Sequence, residues 1–157
     1  MRKLFFLGLT AIVLTGLVAA TPSSPGTTMA TAKVVRVSTR RLPKLGTVLV
    51  NGKGFTLYMF VRDKRKKVTC VHACAKIWPP LKLRKGAKLV AERKAKRRLL
   101  GSDRDPAGGR VVTYHKWPLY TYVADTRPGQ AKGQALRLNG GLWYVLAPSG
   151  AVIRKKP

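Results

Sequence analysis

The sequence predicts an all-β fold: a single compact domain, β-rich with one or two short helices, built from two pseudo-repeated hairpin units. Three observations favour this class. The phrase Y-x-[FWY]-x-x-D occurs twice, within residues 56–63 and 118–125, which indicates an internal repeat of about 62 residues. Short apolar and β-branched runs alternate with turn sequences rich in Gly, Pro and Asn. A short helical segment is predicted between the two phrases, at 73–78, before two prolines.

The N-terminal segment is assigned to export rather than to the fold. A basic start, an apolar stretch over 4–18 and small residues before the predicted cleavage point after Ala20 are typical of a signal peptide, here 1–20. The apolar stretch is shorter than the roughly 20 residues of a membrane-spanning helix, although an uncleaved anchor is the alternative. Residues 21–33 are predicted to form a flexible Pro/Ser/Thr tether, and 34–157 the folded domain. No lipobox cysteine follows the apolar stretch, so a lipid anchor is not predicted.

The first repeat, at about 45–81, is predicted to be a hairpin preceded by a short strand at 34–37. A strand at 47–50 leads into the turn Asn-Gly-Lys-Gly at 51–54, whose residues tolerate positive φ, and the chain returns as a strand at 55–61.

The second repeat, at about 108–147, is predicted to be the same unit. Its elements and those after it are a strand at 110–114, a turn at 115–118, a return strand at 119–123, a strand at 142–146, a turn at 148–150 and a terminal strand at 151–154.

The repeated phrase places three residue types at one spacing in each unit. Its residues are Tyr58, Phe60 and Asp63, then Tyr120, Tyr122 and Asp125. Because side chains alternate along a strand, the two aromatic residues of each phrase share one face. We expect these aromatics in the core and each aspartate just past the strand end, where a carboxylate can accept backbone N–H bonds and fix a turn. An acid pair acting on polysaccharide is the alternative for Asp63 and Asp125.

The segment between the repeats contains both cysteines. A secreted chain with two cysteines usually pairs them, so we expect a disulfide between Cys70 and Cys74. Residues four apart in an ideal helix are too distant for that bond, so Cys70 must lie before the helix or in a loop. His72 between them leaves a metal or cofactor site at Cys70, His72 and Cys74 as an alternative, and free thiols as another. Two Cys and one His do not complete a structural zinc site, and no metal or cofactor is expected.

Charge is the second strong signal in the chain. There are 32 Lys and Arg against 5 Asp and Glu, a formal net charge of +27, and removal of the two basic residues in the predicted signal peptide leaves +25. A surface of this kind attracts polyanions, and for a secreted chain the expected partner is an anionic cell-wall polymer or membrane surface. A charge without a specific partner is the alternative. The densest basic run, 93–98, has no interleaved aromatic residue for base stacking, so no specific nucleic acid is predicted.

Catalytic signals are weak. The chain has no G-x-S-x-G, H-E-x-x-H, P-loop or Rossmann glycine pattern, and no catalytic residue is predicted. Aromatic residues could line a groove for sugar or a quaternary ammonium group, but core packing is the favoured interpretation. The groove candidates are Tyr114, Trp117, Tyr120, Trp143 and Tyr144.

Taken together, the phrases T-L-Y-M-F-V-R-D, T-C-V-H-A-C-A-K-I-W-P-P-L, P-L-Y-T-Y-V-A-D and G-L-W-Y-V-L-A-P-S-G resemble the bacterial secreted-repeat lipoproteins, a family named for its Y-x-[FWY]-x-x-D motif. The resemblance covers about 34–150. It implies a compact β-rich extracytoplasmic domain of two repeats, and it implies no reaction, because the family's function is unknown. Its motif carries over to the residues of both phrases, to Cys70 and Cys74, and to Trp78. The chain departs from the family in its missing lipobox and its high basic charge.

The sequence therefore predicts a secreted, non-enzymatic interaction module of the bacterial cell envelope, whose basic surface favours anionic polymers or lipids. An extracytoplasmic redox or metal-binding protein that uses the 70–74 segment is the alternative.

Overall fold

The computed structural model describes residues 33–63 and 67–156, which form small β-sheets joined by tight turns. One α-helix, α1 Ala73–Ile77, and a single turn of 3-10 helix at Arg97–Leu99 accompany the strands within these ranges. The strands are β1 Val34–Leu42, β2 Gly46–Asn51, β3 Tyr58–Phe60, β4 Lys82–Leu83, β5 Lys88–Ala91, β6 Leu100–Arg104, β7 Arg110–Tyr114, β8 Trp117–Pro118, β9 Arg137–Leu138 and β10 Gly141–Val145. The predicted signal peptide and nearly all of the tether lie outside the described residues.

The first sheet has the order β2-β1-β5. β1 and β2 are antiparallel, with Val37 opposite Asn51 and Leu42 opposite Gly46, and β5 runs parallel to the start of β1. β1 is five residues longer than the predicted strand at 34–37, because its second half, rich in Ser, Thr and Arg, pairs with β2 while the arginines stay exposed. β5 was not predicted, because its short sequence Lys-Leu-Val-Ala follows a basic run and shows no clear alternation of apolar and polar residues.

The hairpin of the first repeat is present, but its return strand is shorter than predicted. Asn51 accepts the N–H groups of Lys53 and Phe55 on its side-chain oxygen, which fixes the turn. The Leu57 N–H then donates to the Leu49 carbonyl. Only the last part of the predicted strand at 55–61 is regular: β3 leaves β2 and pairs with β10.

The hairpin of the second repeat turns earlier than predicted. His115 and Lys116 form a two-residue turn with φ of 49° and 70°, the left-handed pair that matches the twist of adjoining strands. β8 therefore begins at Trp117, inside the predicted turn at 115–118. The predicted return strand at 119–123 is wrong, because this segment contributes an isolated bridge at Tyr120 instead.

The remaining elements lie close to their predicted places. β7 matches the predicted strand, β10 is shifted by one residue, and the predicted terminal strand is a single bridge between Leu146 and Val152. α1 ends at Ile77, one residue earlier than predicted, and Trp78 caps it before Pro79. The second sheet has the order β3-β10-β9. The third sheet, β4-β7-β6 with β8 beside β7, includes the unpredicted β6, whose sequence Leu-Gly-Ser-Asp-Arg carries little strand signal.

The two faces of the motif segments enter two different clusters of buried side chains. Tyr58, Phe60 and Tyr120 belong to one cluster, whereas Leu57 and Met59 belong to the other. This separation confirms the predicted alternation.

The disulfide between Cys70 and Cys74 is present, with Cα atoms 5.1 Å apart. Cys70 lies before α1, as the spacing required, and is buried. The bond closes a small loop at the start of the helix, directly before the segment that carries Trp78.

Candidate functional site: the motif centre and the basic cleft

The two copies of the motif meet at an approximate two-fold axis. The Tyr58 N–H donates to the Tyr120 carbonyl at 2.8 Å, and the Tyr120 N–H donates to the Tyr58 carbonyl at 3.0 Å. Both tyrosines are fully buried. The reciprocal pair joins the repeats through their first motif residue, a contact that neither repeat can make alone.

The tyrosine hydroxyls exchange partners across this axis. Tyr58 Oη donates to Asp125 Oδ2 at 2.6 Å, and Tyr120 Oη donates to Asp63 Oδ2 at 2.6 Å. Each aspartate of the motif therefore binds the tyrosine of the other repeat. We call these four residues, with the aromatic rings packed on them, the motif centre.

The second oxygen of each aspartate holds the loop that follows it. Asp63 Oδ1 accepts hydrogen bonds from the Thr69 N–H at 2.8 Å and the Thr69 hydroxyl at 2.6 Å. Asp125 Oδ1 accepts the Lys132 N–H at 2.9 Å. Each carboxylate thus joins its own loop to the opposite repeat, which extends the turn-fixing arrangement that the sequence suggests.

Four aromatic rings form a continuous stack beside the tyrosines. Centroid distances are 4.2 Å for Phe60 on Trp143, 3.8 Å for Trp143 on Trp78 and 4.2 Å for Trp78 on Tyr122. The rings alternate between repeats, so the stack also crosses the axis. Trp143 Nε1 donates to the Leu138 carbonyl, while Trp78 Nε1 is buried without a partner among the described residues.

The two tryptophans are structural equivalents although they stand 65 residues apart. Each meets the motif tyrosine of its own repeat edge-on, at 5.4 Å for Trp78 and Tyr58 and at 5.2 Å for Trp143 and Tyr120. The two motif phrases are 62 residues apart, whereas the two tryptophans are 65 residues apart. Because the spacings differ by three residues, aligning the repeats on their motif phrases does not align the tryptophans.

Burial dominates the electrostatics of the motif centre. It raises the pKa of Tyr58 and Tyr120 far above the ordinary value, and the neighbouring aspartates reinforce the shift. Burial also raises the pKa of Asp63, against the opposing effect of its hydrogen bonds from Thr69 and Tyr120. Asp63 and Asp125 are 0% and 4% exposed. Both carboxylates are engaged by protein donors, an arrangement that stabilises the fold and presents no acid pair to solvent.

The structure favours core packing, the predicted interpretation of the groove candidates, over the alternative of an aromatic groove. Trp143 and Tyr120 are buried in one cluster, whereas Tyr114 and Tyr144 belong to the other. The Tyr114 hydroxyl donates to the Pro148 carbonyl at 2.6 Å. Tertiary packing, rather than a ligand surface, accounts for these rings.

The 70–74 segment keeps its sulfur atoms in the disulfide, and His72 between them is exposed. No group of three or more His, Cys, Asp or Glu within the described ranges could hold a metal ion. A ligand-binding role for the motif residues stays a prediction.

A separate, charged depression lies on the β2-β1-β5 sheet. Its volume is about 560 Å³, and we call it the basic cleft. The charged residues that line it are Arg40, Arg41, Lys53, Glu92 and Arg93, and Ser38 and Thr39 line it as well. The sequence did not reveal it, since these residues come from three separate segments of the chain.

A family model described as a secreted repeat of unknown function, Lipoprotein_15, matches the chain at 40–82 and 101–147. The chain belongs to this family. The matched segments contain both motif phrases, both cysteines and both tryptophans of the stack, and they confirm the resemblance drawn from the sequence.

No curated protein and no solved structure matches the chain. Neither helical segment among the described residues has the length and hydrophobicity that a membrane-spanning helix requires. The secreted-repeat model leaves 83–100 unmatched, so Glu92 and Arg93 of the basic cleft come from a segment between the two family repeats.

Proposed function

We propose that this secreted-repeat protein is a non-enzymatic interaction module of the cell envelope, which binds anionic envelope polymers or lipids through its basic surface. The observation that carries the proposal is the imbalance of charge, 32 Lys and Arg against 5 Asp and Glu. Electrostatic attraction of this size concentrates polyanions near the surface and accelerates their association.

The distribution of the carboxylates makes the surface more basic than the net charge indicates. Asp63, Asp105 and Asp125 are buried and serve internal hydrogen bonds. Asp105 also pairs with Lys82, and the more exposed Glu92 pairs with Arg36 at 2.9 Å. Few carboxylates are therefore left to neutralise the lysine and arginine side chains at the surface.

The motif centre supports a passive role. Its tyrosine hydroxyls and aspartate carboxylates are buried and bonded to one another, which suits a module that presents a rigid surface. The alternative, a redox or metal protein acting through Cys70, His72 and Cys74, has less support, because the two sulfurs are bonded to each other. Metal analysis of the purified protein addresses that alternative directly, since a retained metal ion would favour it.

Salt-dependent retention on envelope material tests the proposal. The mature protein is incubated with isolated bacterial envelopes over a series of salt concentrations, and the free fraction is measured after sedimentation. We expect retention at low ionic strength and progressive release as the salt screens the charges. Lysine-acetylated protein is the control and should bind weakly. Absence of retention, or retention that salt leaves unchanged, would contradict the proposal.

A further inference from the structure

Basic residues from distant parts of the chain line the basic cleft. Arg40 and Arg41 come from β1, Lys53 from the turn after β2, and Arg93 from the segment after β5. Like charges repel one another, so nothing in folding itself favours their convergence. A concave surface with four cations is a better receptor for an anion than the same charges spread over a convex face.

The fold holds Arg93 at this place by backbone contacts. The Glu92 N–H donates to the Val37 carbonyl at 2.9 Å, and the Lys94 N–H donates to Thr39 Oγ1 at 3.4 Å. Arg93 itself has a φ of 55°, in the left-handed region that non-glycine residues rarely adopt. The turn is thus attached to β1 on both sides of a strained arginine.

Arg40 on the opposite wall depends on a glycine. Gly54 has a φ of +83°, and a Cβ atom there would lie 3.3 Å from Arg40 Nη2 and 3.3 Å from the Pro128 side chain. The hairpin turn therefore leaves space for the guanidinium group between these loops.

The chemistry of the cleft suits phosphate. Three of its four cations are arginines, whose planar guanidinium groups bind phosphate oxygens in pairs. Ser38 and Thr39 also line the cleft, but both are largely buried and Thr39 Oγ1 already accepts the Lys94 N–H, so the arginines are the main groups for an anion. The single carboxylate among the lining residues, Glu92, is already bonded to Arg36, which reduces its repulsion of an anion.

Basic side chains continue beyond the cleft. A neighbouring depression of about 480 Å³ shares Arg41 with it and adds Lys44 and Lys155. Another, of about 510 Å³, shares Lys53 and adds Lys33, Arg36 and Arg84 among its lining residues. A ligand with charges repeated along its length can contact all three depressions, whereas a single small anion occupies one.

The surface offers little to a bilayer. Val123 is the one large hydrophobic side chain that is exposed among the described residues, and it does not line the cleft. Stable membrane binding of a protein surface usually combines basic groups with buried apolar area. The charge without apolar anchors favours a soluble polymer over a lipid surface.

We infer that the basic cleft is the binding site for a linear phosphate-bearing polymer, with Arg40, Arg41 and Arg93 as its central contacts. This inference rests on the proposed function and assigns its site and ligand chemistry.

The test compares two variants that lose the same charge. The cleft variant carries Arg40→Gln, Arg41→Gln and Arg93→Gln, and the control carries Arg97→Gln, Arg104→Gln and Arg137→Gln, all three at exposed positions outside the cleft. Binding to long-chain inorganic polyphosphate is measured by calorimetry at several salt concentrations. Circular dichroism and the unfolding midpoint of each variant establish that it is folded.

We expect the cleft variant to bind polyphosphate at least about tenfold more weakly than the control. The slope of its log Kd against log salt concentration should also be smaller than that of the native chain, by about 2. This value assumes the loss of three phosphate contacts, each worth about 0.7 to 0.9 in the slope, as in nucleic-acid binding. A third variant, Arg40→Lys, Arg41→Lys and Arg93→Lys, keeps the charge and should keep the slope while binding more weakly than the native chain. Native affinity in this variant would overturn paired recognition by arginine.

Other outcomes separate the two proposals. If the native chain does not bind polyphosphate, both the assignment of the cleft as the site and the assignment of a phosphate polymer as its ligand are wrong. If the native chain also does not bind bacterial envelopes, the proposed function is wrong as well. If the cleft variant and the control lose affinity equally, the basic surface acts as a whole and the cleft assignment is overturned alone. Tighter binding to polygalacturonate would overturn phosphate in favour of carboxylate, and tighter binding to phosphatidylglycerol vesicles would overturn the polymer in favour of a membrane surface.

Discussion

The motif centre and the basic cleft are opposite in almost every physical respect. The motif centre is buried, follows the approximate two-fold axis, and pairs its carboxylates with hydroxyl groups of the other repeat. The basic cleft is open and built from both matched and unmatched segments, and its arginines have no counterpart in the repeat pattern. The motif residues therefore build the domain, while we propose that the charges of the basic cleft bind a ligand.

This contrast separates stability from binding. Substitutions in the motif centre should lower the free energy of unfolding and leave the affinity of the folded protein for polyanions unchanged. Substitutions in the cleft should do the reverse. A change that moved both quantities together would show that the two regions are coupled.

The largest effect is expected at the ring stack. Trp143→Ala removes a fully buried ring that contacts Phe60, Trp78 and Tyr120, and should lower the free energy of unfolding by about 3–5 kcal/mol. The same substitution at the half-buried Trp117 is the control and should cost less. Urea unfolding measures both. Equal losses would show that the stack is not a special source of stability.

The second largest loss of stability is expected when either of the two tyrosine–aspartate hydrogen bonds between the repeats is removed. Tyr58→Phe and Tyr120→Phe each remove a buried donor to a carboxylate, and each should cost about 1.5–3 kcal/mol, with similar values because the two sites are related by the pseudo-symmetry. Tyr122→Phe, which keeps the ring stack, is the matched control and should stay within about 0.5 kcal/mol. Strongly unequal losses at the two tyrosines would contradict the equivalence of the repeats.

Removal of the disulfide should have a moderate effect. The Cys70→Ser and Cys74→Ser double variant frees a short loop, and chain entropy predicts a loss of about 2 kcal/mol. Thermal unfolding under oxidising and reducing conditions measures it, with the reduced native protein as the control. A metal-dependent change in the melting temperature of the reduced protein would instead support the metal-site alternative.

Alkaline pH should weaken the motif centre gradually. Because burial raises the folded pKa of Tyr58 and Tyr120 above the unfolded value of about 10, their contribution to stability is complete below that pH and is lost as the pH rises above it. Each tyrosine should contribute a slope of about 1.4 kcal/mol per pH unit. Urea unfolding at several alkaline pH values should show a shallower slope in Tyr120→Phe than in the native chain. An unchanged slope would contradict the burial of the phenol.

Much of the local architecture could be predicted from the sequence. Alternation assigned Tyr58 and Leu57 to different faces, the Asn-Gly turn marked the first hairpin, and the cysteine spacing placed Cys70 outside the helix. Each of these depends on a few neighbouring residues. Local sequence carries that information directly.

Contacts between distant segments could not be predicted. The exchange of partners between Tyr58 and Asp125 depends on how the repeats pair, and a single repeat contains no signal for it. The stack of Trp78 on Trp143 was hidden by the change in repeat spacing. Arg93 reaches the cleft only because the unpredicted β5 pairs with β1. Charge composition predicted that polyanions would be attracted, but not where they would bind.

The most direct test of the division between the two regions is a two-dimensional NMR titration of the labelled mature protein with polyphosphate. The indole N–H signals of Trp78 and Trp143 report on the motif centre, and the amide signals of Lys53 and Arg93 report on the basic cleft. We predict that the cleft amides shift with saturation while both indole signals stay in place. Shifts of the indole signals with unchanged cleft amides would show that the ligand binds at the motif centre and would contradict the account.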